Sequence, residues 1–179
     1  MDRNEIEKLI PHRPPFLWID GVEELEPGAH CLAWKRIEPE SPAFAGHFPA
    51  NPVLPGIFLI EAIAQTACVM LASAVQPDPD AAMMASLAQP NPDAVMAASA
   101  AQPDPGAVMP APAAQPDPDG VPLLAAVNRF KFLKPVKPGQ ELRIVTRKLT
   151  DAGKMAYIEG TVSVAGEVVA RGELSVVSA

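Results

Sequence analysis

One stretch sets the terms for the whole chain: Gly56 to Val75, GIFLIEAIAQTACVMLASAV, which reads as a helix with almost no polar face. Ile57, Leu59, Ile60, Ile63, Ala64, Ala67, Cys68 and Leu71 are distributed around the 3.6-residue period, so this helix has to be covered on nearly all sides. Its length would suit a bilayer. Glu61 and Gln65 argue against that, because they sit four apart on one face and would put a carboxylate and an amide near the middle of a lone span. A sheet wrapped round the helix satisfies both facts, and the chain reads as a protein outside the membrane.

The flanks supply such a sheet. Asp2 to Ile10 reads as a short helix, with Asp2 and Glu5 in capping-box spacing and Ile6, Leu9 and Ile10 on one side, stopped by Pro11. It lacks the basic start and apolar run of a secretory signal, so a cytoplasmic protein is expected. Phe16 to Val22 reads as a strand that Glu26, Pro27 and Gly28 turn back onto a partner over Ala29 to Ile37. Pro42, Pro49, Pro52 and Pro55 make Ser41 to Gly56 an ordered loop, since each proline fixes its own φ and restricts the residue ahead. From Leu123 the sequence predicts a strand (LLAAVNRFKF), a turn (KPVKPGQ) and strands at Glu141 to Leu149, Met155 to Val164 and Glu167 to Val177, with turns at Asp151 to Gly153 and at Ala165 and Gly166.

Between helix and later strands the composition changes abruptly. Gln76, Gln89, Gln102 and Gln115 recur every 13 residues, each opening a QP(D/N)P unit, and 11 of the 22 prolines lie between Gln76 and Pro122. The PxP pairs block helix propagation, and the apolar residues there are mostly Ala and Met, which bury too little to offset the entropy of ordering the backbone. Residues 76–122 therefore read as a low-complexity insert, mainly disordered; a short solenoid is the sharper alternative, although a 13-residue unit without a large apolar anchor has little to stack. Removing the insert leaves a single domain, 1–75 and 123–179, of α+β class with an antiparallel sheet curled round the helix.

The insert also explains the charge. The chain carries 14 basic and 21 acidic residues, a net −7, but six of the acids and none of the bases fall in the insert, leaving 14 − 15 = −1 for the rest. No nucleic-acid-binding face is suggested. Cys31 and Cys68 have neither CxxC spacing nor a His nearby at ligand spacing, so they read as thiols, with no disulfide framework, metal or other cofactor expected.

The chemistry concentrates in GHFPANPVLPGIFLIEAIAQ, Gly46 to Gln65. His47 is suited to take a weakly acidic proton, since an unperturbed imidazole titrates near neutrality. Glu61, if desolvated on its apolar helix, would retain a proton and could donate it. Orphan N–H groups at Gly56 and Ile57, just past Pro55, would stabilise a developing oxyanion with the help of the helix dipole. Each residue also has a plain structural reading: a His in a Pro-rich loop, an acid paired with a buried Arg, a helix-packing Gln65. His12 and His30 read as structural or exposed.

HFPxxPxxPG followed by ExxxQ, with PHRPPFLWID ahead and NRFKFLKPVKPGQ behind, resembles the 3-hydroxyacyl-acyl-carrier-protein dehydratases of bacterial fatty-acid synthesis (FabZ-like). The resemblance covers nearly everything outside the insert. It implies a hotdog fold, dehydration of (3R)-3-hydroxyacyl thioesters to trans-2-enoyl thioesters, and an acyl carrier protein as partner. It also implies a homodimer as the catalytic unit, in a trimer of dimers, with the His and Glu of one site coming from opposite subunits. Glu at 61 matches the elongation enzymes, whereas the related dehydratase-isomerases place Asp there. Phe16 and Phe130 would line an acyl tunnel or pack in the core. Arg129, Lys131, Lys134 and Lys137 would dock the carrier or form a solvated edge. Leu123 and Leu124 stand where an aromatic near the tunnel is expected. A hotdog thioesterase, or an interaction scaffold using the repeats as a tether, remains open at this point.

Overall fold

The computed structural model describes residues 1–75 and 122–178. The insert read at 76–122 lies outside them except for Pro122, which opens a strand. Two helices and six strands make up the described part: α1 (Arg3–Leu9), β1 (Gly21–Glu26), β2 (His30–Arg36), α2 (Ile57–Val75), β3 (Pro122–Phe132), β4 (Glu141–Ala152), β5 (Met155–Val164) and β6 (Glu167–Ser178). A single 3₁₀ turn, Pro42–Phe44, begins the proline-rich loop.

All six strands join one antiparallel sheet in the order β1-β2-β4-β5-β6-β3. The strand after α2 therefore lands at the edge opposite β1, and α2 lies across β2, β4 and β5 between them. Ile63, Val69 and Met70 of the helix are buried with Ile144, Ile158, Val162 and Leu174 of the sheet. Close approach is possible because residue 160 on β5 is glycine; a Cβ there would collide with the Ile63 side chain. The helix is buried continuously from Ala62 to Met70. Both ends emerge, with Ile57 and Val75 exposed. α2 is long and apolar enough to cross a membrane, but its middle is covered by this protein's own sheet.

Most expected elements fall where the pattern put them. Asp2 accepts from the Glu5 N–H while the Glu5 side chain accepts from the Asp2 N–H, a closed capping box. Ala165 and Gly166, both at positive φ, turn β5 into β6 as a two-residue hairpin. The turn expected at Asp151 to Gly153 is tighter, because β4 runs on to Ala152 and only Gly153 and Lys154 remain outside the ladder.

Phe16 to Val22 is a correction. The strand begins only at Gly21. Leu17, Trp18 and Ile19 are buried, but their apolarity reports packing on α2, where the Trp18 ring stacks on Phe58 at 4.1 Å. Only Asp20 reaches β2 through its backbone, donating to Trp34 O. The Phe16 carbonyl and the Trp18 N–H pair with the side chain of Gln65 instead.

The β3 edge is open in the single chain: Leu123, Leu124, Val127 and Phe132 are all exposed. Two bulges interrupt its pairing with β6, at Leu124/Ala126 and Asn128/Lys131, the second around Arg129 at φ 46°.

Candidate active site

Glu61 sits one turn into α2, where the sequence runs IFLIEAIAQ. The 3.6-residue period stacks Gln65 behind it, and Gln65 Nε2 donates to Glu61 Oε1 at 2.8 Å. That amide cannot flip. Its Oε1 accepts the Trp18 N–H at 2.7 Å and its Nε2 also donates to Phe16 O at 2.8 Å, so reversing it would oppose donor to donor and acceptor to acceptor. Gln65 is fully buried, and its amide oxygen and both amide hydrogens are paired. No arginine pairs with Glu61.

The half-buried Glu61 carboxylate borders a cavity of about 180 Å³ shared with His12, Gln65, Cys68, Leu123 and Leu124. Burial, with the nearby Glu61 charge adding to it, pushes the Cys68 thiol up to about 12, so it stays protonated and inert. Burial likewise raises Cys31 to about 12.

His47 belongs to the loop after the 3₁₀ turn. Its Nδ1 lies 2.8 Å from the Val53 carbonyl oxygen. A carbonyl can only accept, so Nδ1 carries the ring proton and, in the neutral ring, Nε2 keeps its lone pair. Phe48 beside it stands edge-on to the imidazole at 4.6 Å and holds φ 55°, a left-handed backbone uncommon for a bulky residue. The loop is anchored downstream, where Leu54 N–H donates to Val136 O and Phe58 N–H to Pro55 O. Gly56 and Ile57 have no hydrogen-bond acceptor for their N–H groups among the described residues, as expected of a helix start. They border a cavity of about 410 Å³ with Val53, Phe132 and Lys134, and a Cβ on Gly56 would lie 2.7 Å from the Phe132 ring.

Within one chain His47 and Glu61 do not meet: the first contacts Val53 and Phe48, the second Gln65 and His12. Neither Phe16 nor Phe130 lines the Glu61 cavity. Phe16 is exposed and stacks on His12 at 6.3 Å. Phe130 packs over Gly172 and against Phe132 at 5.0 Å. Of the basic run, Arg129 faces Glu173 at 3.6 Å and Lys134 pairs with Glu167, so acids on β6 offset half of it. Lys131 and Lys137 have no acidic partner among the described residues.

His12 is the site residue that sequence reasoning missed. Its Nε2 is 3.6 Å from Glu61 Oε1. The only available signal was the PHR run just ahead of an apolar stretch, which says nothing about which helix face that stretch crosses.

A family model for the FabA-like domain matches residues 10–98, a span that includes His47, Glu61 and Gln65. The 3-hydroxyacyl-[acyl-carrier-protein] dehydratase FabZ of Geotalea uraniireducens is 33% identical over 175 residues, covering 94% of this chain and 94% of its own. That of Anaeromyxobacter sp. (strain Fw109-5) is 29% identical over 173 residues, covering 97% and 87%. Among solved structures, the dehydratase heterocomplex ApeI:P from Xenorhabdus doucetiae superposes with a TM-score of 0.62 at 16% identity, covering 97% of this chain and 90% of that one. A Streptococcus mutans protein solved bound to acetyl CoA gives 0.56 at 13%, covering 95% of each. The structural neighbours establish the hotdog fold, and with relatives aligned almost end to end the chain belongs to the FabZ family of 3-hydroxyacyl-[acyl-carrier-protein] dehydratases.

Proposed function

We propose that this dehydratase converts (3R)-3-hydroxyacyl-acyl-carrier-protein to the trans-2-enoyl thioester and water in fatty-acid elongation, with His47 as base and Glu61 as acid. The observation that carries this assignment is the Nδ1–H to Val53 carbonyl contact, which leaves His47 Nε2 as a lone pair able to accept the C2 proton. Charge then develops on the thioester oxygen, for which the Gly56 and Ile57 N–H groups are the donors. Glu61 gives its proton to the C3 hydroxyl, the C3–O bond breaks with its electron pair going to oxygen, and water leaves as the C2–C3 double bond forms. Return of the proton from His47 to Glu61 resets the site.

The separation of His47 from Glu61 within one chain supports a site shared between two subunits, and the open β3 edge is the surface on which a homodimer would form. A trimer of such dimers, a cytoplasmic location and docking of the acidic carrier on Lys131 and Lys137, with Arg129 and Lys134 beside them, belong to the same reading. Residues 76–122 are an insert without a part in the chemistry in this reading, since loop closure entropy grows slowly with length. Deleting them should leave turnover unchanged.

The test is enoyl formation from a hydroxyacyl carrier protein. His47→Ala and Glu61→Gln should each lower kcat by about 10²- to 10⁴-fold. Undiminished turnover in both variants would overturn the assignment, and thiol release without enoyl product would make the protein a thioesterase.

A further inference from the structure

The mechanism above leaves His12 idle, although it forms a wall of the Glu61 cavity. Its position is built from several directions. Arg13 donates through Nη1 to Ile10 O and His12 O and through Nη2 to Glu7 O, all at 2.8 Å, clamping the main chain at His12 to the end of α1. Phe16 lies nearly parallel to the ring, 20° between planes. The ring is thereby braced with Nε2 3.6 Å from Glu61 Oε1, while Nδ1 is buried without a hydrogen-bond partner.

That buried nitrogen identifies the tautomer. With the proton on Nδ1, a buried donor would face nothing, the costlier kind of unmet group. With the proton on Nε2, only a lone pair is left inside and the N–H points at the carboxylate. Burial pushes the ring pKa down, opposed by the Glu61 charge and helped by Arg13, so the uncharged form is the relevant one. Among the described residues of the same chain, the titratable groups facing Glu61 are His12 and Cys68, and Cys68 remains a thiol directed at Pro122 O.

We propose that His12 is a positioning residue for Glu61, its Nε2–H closing on Oε1 when substrate fills the cavity. At 3.6 Å the contact is longer than a hydrogen bond, and a movement of less than 1 Å brings it into range, as active-site hydrogen bonds tighten on substrate binding. Oε1 already accepts from the immovable Gln65 amide. A second donor on the same oxygen makes Oε1 the carbonyl-like atom and Oε2 the one that holds the proton and delivers it to the leaving hydroxyl. Once that proton has gone, both N–H groups stabilise the carboxylate left behind.

The inference rests on Glu61 as the acid, and the experiment separates the two. Wild type, Glu61→Gln, His12→Phe and His12→Gln are assayed as full-length protein with a hydroxyacyl carrier protein across pH, with Tm recorded for each. His12→Phe keeps a ring against Phe16 but removes the donor; kcat should fall roughly tenfold with KM changed less than twofold. His12→Gln restores an N–H at similar reach and should recover at least half of kcat. If Glu61→Gln is as active as wild type, the acid assignment itself fails. If Glu61→Gln is inactive but His12→Phe matches wild type in kcat, or if Gln rescues no better than Phe at equal Tm, the role of His12 is refuted and the assignment of Glu61 stands.

Discussion

The two halves of the proposed catalytic apparatus are built in opposite ways. Glu61 stands on the central helix, its carboxylate tied to Gln65, which is tied in turn to the backbone of residues 16–18. His47 stands on a loop, its N–H donating to Phe44 O and its ring making a single hydrogen bond, to Val53 O. The proposed acid is held by the core, whereas the proposed base sits in a proline-rich loop whose Val53 carbonyl fixes its ring. Under the proposed mechanism neither half suffices alone, and the fixed acid of one chain calls for the base of a second copy.

The sharpest way to break that reading is to mix subunits. Co-refolded His47→Ala and Glu61→Gln chains should form half mixed dimers, each with one intact site, and regain about a quarter of wild-type turnover. Each parent alone should remain at least about a hundredfold down. Recovery is measured as enoyl product per total protein. No recovery in dimers shown to be mixed would mean that each chain uses its own pair.

The same contrast governs what could be read from the residues alone. α2, the hairpins and the strands after Leu123 were legible because their periodicities are local, and His47, Gly56 and Glu61 because their spacing is a motif. Phe16 to Val22 misled because three consecutive buried residues, Leu17, Trp18 and Ile19, look the same whether a ladder or a helix covers them. Gln65 decided the matter, and a side chain 49 residues away cannot be assigned to Phe16 O from sequence. His12 went unseen for the same reason. Its partner is fixed by how segment 11–20 crosses α2, a tertiary fact with no periodic trace. The pairing of Arg129 and Lys134 with acids on β6 was hidden likewise, since it depends on β3 crossing to the far edge of the sheet.

If the acid half belongs to the core, damaging it should cost stability where damaging the base half does not. Gln65→Leu leaves the Trp18 N–H and Phe16 C=O without partners near the core, and should lower unfolding free energy by about 2–4 kcal/mol in urea titrations. His47→Ala, in the loop, should cost less than about 1 kcal/mol. Equal losses would erase the distinction.

Asp20 extends the comparison to pH. It closes the segment that crosses α2, accepting from Lys35 Nζ at 2.8 Å, the Arg36 N–H at 2.9 Å and Arg3 at 2.6 Å. Burial alone would raise its pKa, but the Lys35 and Arg36 hydrogen bonds, the Lys35 charge and Arg3 together outweigh it and hold the carboxyl below the ordinary 3.8. With the folded value below the unfolded one, the contribution is complete above about pH 4 and is lost as pH falls through the folded pKa. Asp20→Asn should therefore cost about 2 kcal/mol at pH 7, with the gap to wild type narrowing toward pH 2 in paired urea titrations. A gap independent of pH would assign the loss to packing.

The weakest link in the acid half is its outermost. α1 has only seven residues and depends on the Asp2–Glu5 capping box and on buried Ile6 for its place, while Arg13 ties the main chain at His12 to the carbonyls of Glu7 and Ile10 at its C-terminal end. Asp2→Ala removes one cap and should cost about 1 kcal/mol. A loss that small leaves the folded population essentially complete at neutral pH, so Tm should fall by a few degrees while kcat of the folded enzyme holds. Ala at position 2 thus loosens the brace behind His12 without touching His12 itself. If kcat dropped as far as in His12→Phe while Tm barely moved, the orientation of the ring would depend on α1 rather than on Arg13 and Phe16, and the acid half would be a floating element like the base.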